Sequence, residues 1–117
     1  MTIQVVPNDN TWLAPTNNPS AALEASRIAK ASAGVLYGIS GYNSGGAQFL
    51  QLHDSATLPA DTAVPAVVYP IAATSAFSFD FGMHGMACNV GIVVCNSSTA
   101  PTKTIGAANC WFAPRFK

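Results

Sequence analysis

The sequence predicts an all-β protein: a single antiparallel β-sandwich, jelly-roll-like, over residues 20–117, led by an extended N-terminal arm over residues 1–19. Three observations carry this expectation. Short runs rich in β-branched and aromatic residues recur from Val35 onward, at residues 35–39, 48–52, 66–69, 77–81, 90–95 and 110–112, and clusters of Gly, Asn, Ser or Pro separate most of them. Closely spaced strands punctuated in this way form sandwiches or barrels. The chain has 117 residues, enough for one core and too few for two. Half of its residues are hydrophobic and only 9% are charged, against about 25% in an average soluble domain.

The first residues differ in composition from the rest. Asn8, Asn10, Asn17 and Asn18 alternate with Pro7, Pro15 and Pro19 around an isolated Trp12 and Leu13. Pro and Asn at this density oppose a continuous helix or a central strand, so an arm is expected, with Trp12 and Leu13 as its apolar contact. Residues 20–31 contain good helix formers behind a potential Ser20 cap, but their apolar residues make no clean stripe in either period. An edge strand at residues 26–32 is the preferred reading.

From Val35 the alternation sharpens, with Val35, Tyr37 and Ile39 on one face, and a turn is expected at residues 41–46. Leu50 and Leu52 then point one way and Phe49, Gln51 and His53 the other, which predicts a strand buried mainly on one side. Pro59 and Pro65 mark residues 58–65 as a loop, and Pro70 closes a short strand at 66–69. Phe77, Phe79 and Phe81 alternate with Ser78 and Asp80, the clearest amphipathic pattern in the chain, and are expected to anchor the core. Residues 82–86 read as a flexible connection and 89–96 as a central strand covered on both faces. After a turn region at 97–104, residues 108–112 close the domain.

Formal net charge is zero, and no stripe of Lys and Arg exists to neutralise phosphates, so nucleic-acid binding is not expected. No run approaches the length of a membrane span and the N-terminus lacks a secretory pattern, so synthesis in a cytoplasm is expected. A neutral, apolar surface favours association, and a homo-oligomer follows. Cys88, Cys95 and Cys110 are odd in number and lack the spacing of zinc or redox motifs, so they read as buried thiols. A bond between Cys95 and Cys110 would require neighbouring strands and an oxidising compartment.

No residue pattern spells out a reaction, a metal site or a cofactor site. His53 and Asp54 are adjacent, but in a strand they face opposite ways and so cannot act as base and orienter. His53, Asp80, His84 and Cys88, with Met83 and Met86 flanking His84, match no closed metal set. Ser40 lacks the context of a nucleophile elbow and reads as a strand-end serine. Asn43-Ser-Gly45 makes no phosphate cradle, and Asn96-Ser-Ser98 is a glycosylation pattern without a secretory signal. Two aromatic platforms for carbohydrate remain, Tyr42 with Asn43 and Trp111 with Asn109, although Trp111, between Cys110 and Phe112, is expected in the core or at a subunit contact.

The segments Gly34-Val-Leu-Tyr-Gly-Ile-Ser-Gly-Tyr-Asn-Ser44, Ala47-Gln-Phe-Leu-Gln-Leu-His-Asp54, Leu58-Pro-Ala-Asp61, Val90-Gly-Ile-Val-Val-Cys-Asn-Ser-Ser98 and Pro101-Thr-Lys-Thr-Ile-Gly106 resemble small proteins encoded among the structural genes of tailed bacteriophages. The resemblance spans residues 26–112 and leaves out the arm. It implies a virion component of β-sandwich type: a capsid decoration (cement) protein, a head fibre or a tail accessory protein. It further implies the major capsid protein or another virion component as partner and a closed homo-oligomer, with a trimer favoured. A carbohydrate-binding module is the alternative.

Overall fold

The computed structural model describes residues 15–117. They form nine strands: β1 (Thr16–Asn17), β2 (Ser26–Lys30), β3 (Gly34–Asn43), β4 (Gln48–His53), β5 (Val67–Ile71), β6 (Ser75–Asp80), β7 (Met86–Cys88), β8 (Ile92–Ser97) and β9 (Cys110–Phe116). The first sheet has the order β1-β9-β3-β6, with β7 also pairing β3, and the second has the order β2-β8-β4-β5. All pairings are antiparallel, and β1 pairs with β9, β2 with β8, β3 with β6, and β4 with β5. The chain is thus a long hairpin rolled into two sheets, which is jelly-roll order. Trp12 and Leu13 lie outside the described residues. Of the arm expected over 1–19, Thr16 and Asn17 are paired in β1.

The core lies between the sheets. Leu36, Ile39, Phe77, Phe112 and Phe116 face Ala29, Leu50, Leu52, Ile71, Ile92 and Val94. The alternating phenylalanines of β6 behave as their pattern predicts, with Phe77 buried and Phe79 and Phe81 packed against the core. Phe79 stacks on Tyr69 of β5 at a centroid distance of 4.1 Å, closing one side of the sandwich. A polar seam closes the other. The Arg27 guanidinium donates to Asn18 O (2.7 Å), Asn18 Oδ1 (2.6 Å) and Glu24 Oε1 (3.1 Å), and Ser20 Oγ donates to Glu24 Oε1 at 2.8 Å.

Several boundaries differ from expectation for identifiable reasons. Strand β3 runs through the turn expected at Gly41, because a side chain there would collide with the Phe77 ring, and glycine instead leaves that ring room inside the core. Ser40 is therefore a mid-strand residue between Ser78 and Ala113, not a strand end. Strand β4 is buried on both faces from Leu50 to His53, because segments after β4 and β8 cover its outer side. Pro70 does not end β5: at the edge of a sheet a missing N–H is tolerated, and the strand continues to Ile71. Met86, expected at the end of a flexible connection, instead begins β7, with Met86, Ala87 and Cys88 pairing with Leu36, Val35 and Gly34. Strand β9 extends to Phe116 in strict alternation, so Trp111 faces outward, 39% exposed, and is not a core residue.

Truncating Phe112, fully buried at the centre of the core, is expected to cost about 3–5 kcal/mol, while Ile28→Ala on the exposed face of β2 stays within about 0.5 kcal/mol. Urea unfolding followed by circular dichroism measures both.

Candidate interaction face

The register of β3 against β9 places Tyr42 directly opposite Trp111, and Tyr42 also faces Ala76 of β6. Neighbouring Asn43 and Cys110 are fully buried, so by alternation Tyr42 and Trp111 share the outer surface of the first sheet. The next row holds Ser78, Ser40 and Ala113, and the row beyond it Asp80, Gly38 and Arg115. One end of this face is therefore aromatic and uncharged and the other carries one charge of each sign. Beside Trp111, residues 20–23 frame a shallow cavity of about 400 Å³, and Leu23 on its rim is 49% exposed. The sequence proposes two separate aromatic platforms; the fold merges their aromatic halves into one.

The amide halves of those platforms are used elsewhere. Asn43 is fully buried, donating to Gly46 O and Ala72 O at 2.9 Å each and accepting from the Gln48 amide at 2.8 Å. Asn109 Oδ1 accepts from Gln48 Nε2 (2.9 Å) and from Asn96 Nδ2 (3.0 Å). Asn96 also donates to Gln48 Oε1 at 3.0 Å and to Ala107 O at 2.8 Å, and its own Oδ1 is buried without a partner. The group pins residues 43–48 and 106–110 to the end of the core. Its burial also hides Asn96 from any glycosylating enzyme in the folded state. The Cys110 thiol sits in this cluster, 3.3 Å from Gln48 Nε2, and burial pushes its pKa up to about 11, so it is protonated at neutral pH and a poor nucleophile.

A second polar cluster lies on the outer face of the second sheet. Gln51 donates through Nε2 to the carbonyls of Thr99 (2.9 Å), Ala100 (3.3 Å) and Thr102 (3.2 Å), so its Oε1 turns to His53 Nε2 at 3.1 Å. A carbonyl oxygen only accepts, which places the neutral imidazole's proton on Nε2. Lys103, 3% exposed, donates to Asp61 Oδ1 at 2.6 Å. The two loops are laced together by Thr62 N–H to Lys103 O and Lys103 N–H to Ala63 O, both 2.8 Å, and this lacing holds Thr62 at a left-handed φ of 80°. Cys95 pairs with Gln51 across the strands beneath this cover, and burial pushes its thiol up to about 11 as well. All three cysteines are free and buried.

His53 and Asp54 diverge, as their alternation predicts. His53 is buried under the loop cover, whereas Asp54 accepts the N–H groups of Asn89, Val90 and Gly91 at 2.9, 2.8 and 3.2 Å. These bonds hold its carboxyl below the usual carboxylate range. Among the described residues no three His, Cys, Asp or Glu side chains gather as metal ligands, and no helix is long and apolar enough to cross a membrane. The buried clusters were missed in the sequence because their Asn, Gln and Lys residues sit in positions that read as turns or strand faces open to water.

No family model, no curated protein and no solved structure matches this chain.

Burial, and then the Lys103 charge, lowers the pKa of His53 from its ordinary 6.5. Below pH 6.5 the unfolded chain therefore binds a proton that the folded chain refuses, and stability falls with pH down to the folded pKa of His53. A second decline belongs to Asp54 and Asp61, whose carboxyls lie below their ordinary 3.8, and it begins only around that pH. Urea midpoints measured from pH 7.5 to 4.5 are expected to drop for the natural chain and to stay nearly level for His53→Gln.

Proposed function

We propose that this chain is a structural protein of a bacteriophage particle, a capsid decoration (cement) protein that binds the head surface as an oligomer, with a closed trimer favoured. The observation that carries the reading is the outer face of the first sheet. Tyr42 and Trp111 lie side by side there with exposed Leu23 nearby, on a chain with so few charges that such a face is poorly suited to remain in water. Jelly-roll order supports the reading by analogy, since capsid proteins use it repeatedly. So does the resemblance of segments 34–44, 47–54 and 90–98 to phage structural proteins. The reading assigns no reaction and no cofactor, and its partner is the major capsid protein or another shell component. The location is the virion, after synthesis in the host cytoplasm.

A head fibre or tail accessory role uses the same face with fewer copies per particle. One observation favours a carbohydrate-binding alternative: Tyr42 and Trp111 converge on one surface, and lectins share the jelly-roll order. In that case Trp111→Ala abolishes glycan binding and leaves the melting curve in place.

Mass spectrometry of purified particles, with this polypeptide quantified against the major capsid protein, tests the reading. Near-stoichiometric amounts are expected. A few copies per particle would move the protein to a fibre or tail, and its absence from intact particles would overturn the virion assignment.

A further inference from the structure

We infer that Trp12 and Leu13 of one copy of this chain seat in an apolar groove of a second copy, so that subunits join head to tail. The inference goes beyond the virion reading and does not rest on it. The groove, about 390 Å³, lies where β4 begins and β5 ends and is lined by Ala47, Gln48, Phe49, Pro70, Ile71 and Ala72. No charged group lines it. Its one polar side chain is already committed, with Gln48 Nε2 donating to Asn43 and Oε1 accepting from Asn96. An apolar occupant therefore leaves no polar group stranded, and it enters beside β5, an edge strand of the second sheet.

The position of β1 decides which copy can supply the occupant. Thr16 pairs with Phe116, which pairs with Leu36, so residue 16 lies at the Leu36 end of β3. The groove lies at the other end, because Asn43 bonds both Gln48 and the carbonyl of Ala72. Seven residues of strand separate Leu36 from Asn43, roughly 20 Å along the sheet, and the groove is also three strands across and on the opposite sheet, for a total of roughly 25–30 Å. Four residues of fully extended chain reach about 14 Å. Strand β1 is antiparallel to β9, so the chain before Thr16 leaves in the direction away from the groove. Trp12 and Leu13 therefore cannot fill the groove of their own subunit, whereas a second copy stacked pole to pole brings its groove to them. Residues 10–15, Asn-Thr-Trp-Leu-Ala-Pro, are as uncharged as the groove they meet. A contact between unlike surfaces is heterologous, and it closes into a ring when the rotation per subunit permits.

The test uses the full chain and two surface variants, with mass measured by light scattering after size exclusion. Trp12→Ala/Leu13→Ala removes the occupant. Ala72→Arg, at an exposed position on the groove wall, blocks the groove, and Ala47→Arg on the opposite wall replaces it if Ala72→Arg does not fold. The natural chain is expected to oligomerise, and each variant to lose self-association by more than about tenfold while keeping its melting curve. Mixing the two variants is expected to restore a dimer, because one supplies an intact arm and the other an intact groove. The inference is overturned by a natural chain that stays monomeric, by either folded variant keeping the natural mass, or by a mixture that stays monomeric. None of these outcomes bears on particle composition, so the virion reading stands or falls separately.

Discussion

The register between β3 and β9 is the constraint on which the rest of the structure depends. It puts Asn43 opposite Cys110 on the inner face and Tyr42 opposite Trp111 on the outer one. A slip of β9 by one residue would turn its side chains over, driving the Trp111 indole inward and exposing Cys110 and Phe112. The register is held at both ends. Ser44 N–H donates to Asn109 O at 2.8 Å near one end, and Val35 and Lys117 exchange two backbone bonds of 2.9 Å at the other. Between them Gly38 and Gly41 remove side chains that would strike the Arg115 guanidinium and the Phe77 ring. Gly41, expected in a turn, and Gly38, expected within the strand, thus allow one long strand to pair closely on both edges.

Polar side chains in this protein mostly fasten the fold. Arg27 and Glu24 close a seam, Lys103 and Asp61 fasten a loop cover, and Asp54 caps three backbone amides. Lys103 shows the cost of that use, since burying its side chain is expensive unless a carboxylate pairs with it. Asp61 supplies it and also accepts the Ile105 N–H at 3.2 Å. These few charges are thus tied to the fold by hydrogen bonds, although the carboxylates of Asp54 and Asp61 remain exposed to water.

The fold class and most strand positions were legible in the sequence because both rest on local chemistry. Phe77, Phe79 and Phe81 announce a half-buried strand, and the apolar run at 89–96 announces a central one, which forms as Ile92–Ser97. The edge strand preferred at residues 26–32 forms at Ser26–Lys30 although no periodicity marked it, and the helix-forming residues around it are overridden by pairing with β8. What the sequence hid depends on distant partners. Pro114 and Arg115 fall beyond the last strand expected at 108–112, yet they are part of β9 because Ile39 and Gly38 lie beside them. Gln51 and His53 read as solvent-facing, yet they are buried because a loop some fifty residues away folds over them. Asn43 looked like half of a sugar site, and only the third dimension turns it inward. The pairing of Tyr42 with Trp111 needed a register between strands separated by most of the chain.

The jelly-roll path also fixes where a subunit can present its ends. Because β1 and β9 pair antiparallel, the N-terminal segment enters at the pole where the C-terminus lies, and the loops joining β3 to β4 and β5 to β6 gather at the opposite pole. The amide cluster fastens that second pole from inside, through Asn43 to Gly46 O and Ala72 O and through Asn96 to Ala107 O. A surface backed in this way changes little on contact with a partner, so a binding segment bears nearly the whole ordering cost itself. That cost is smaller for a segment rich in proline, whose unbound states are already few. The residues that lead into β1 contain Pro7 and Pro15 on either side of Trp12 and Leu13. In the contact inferred above, prolines beside the occupant lower its ordering cost and the fastened pole supplies a groove that needs little ordering of its own.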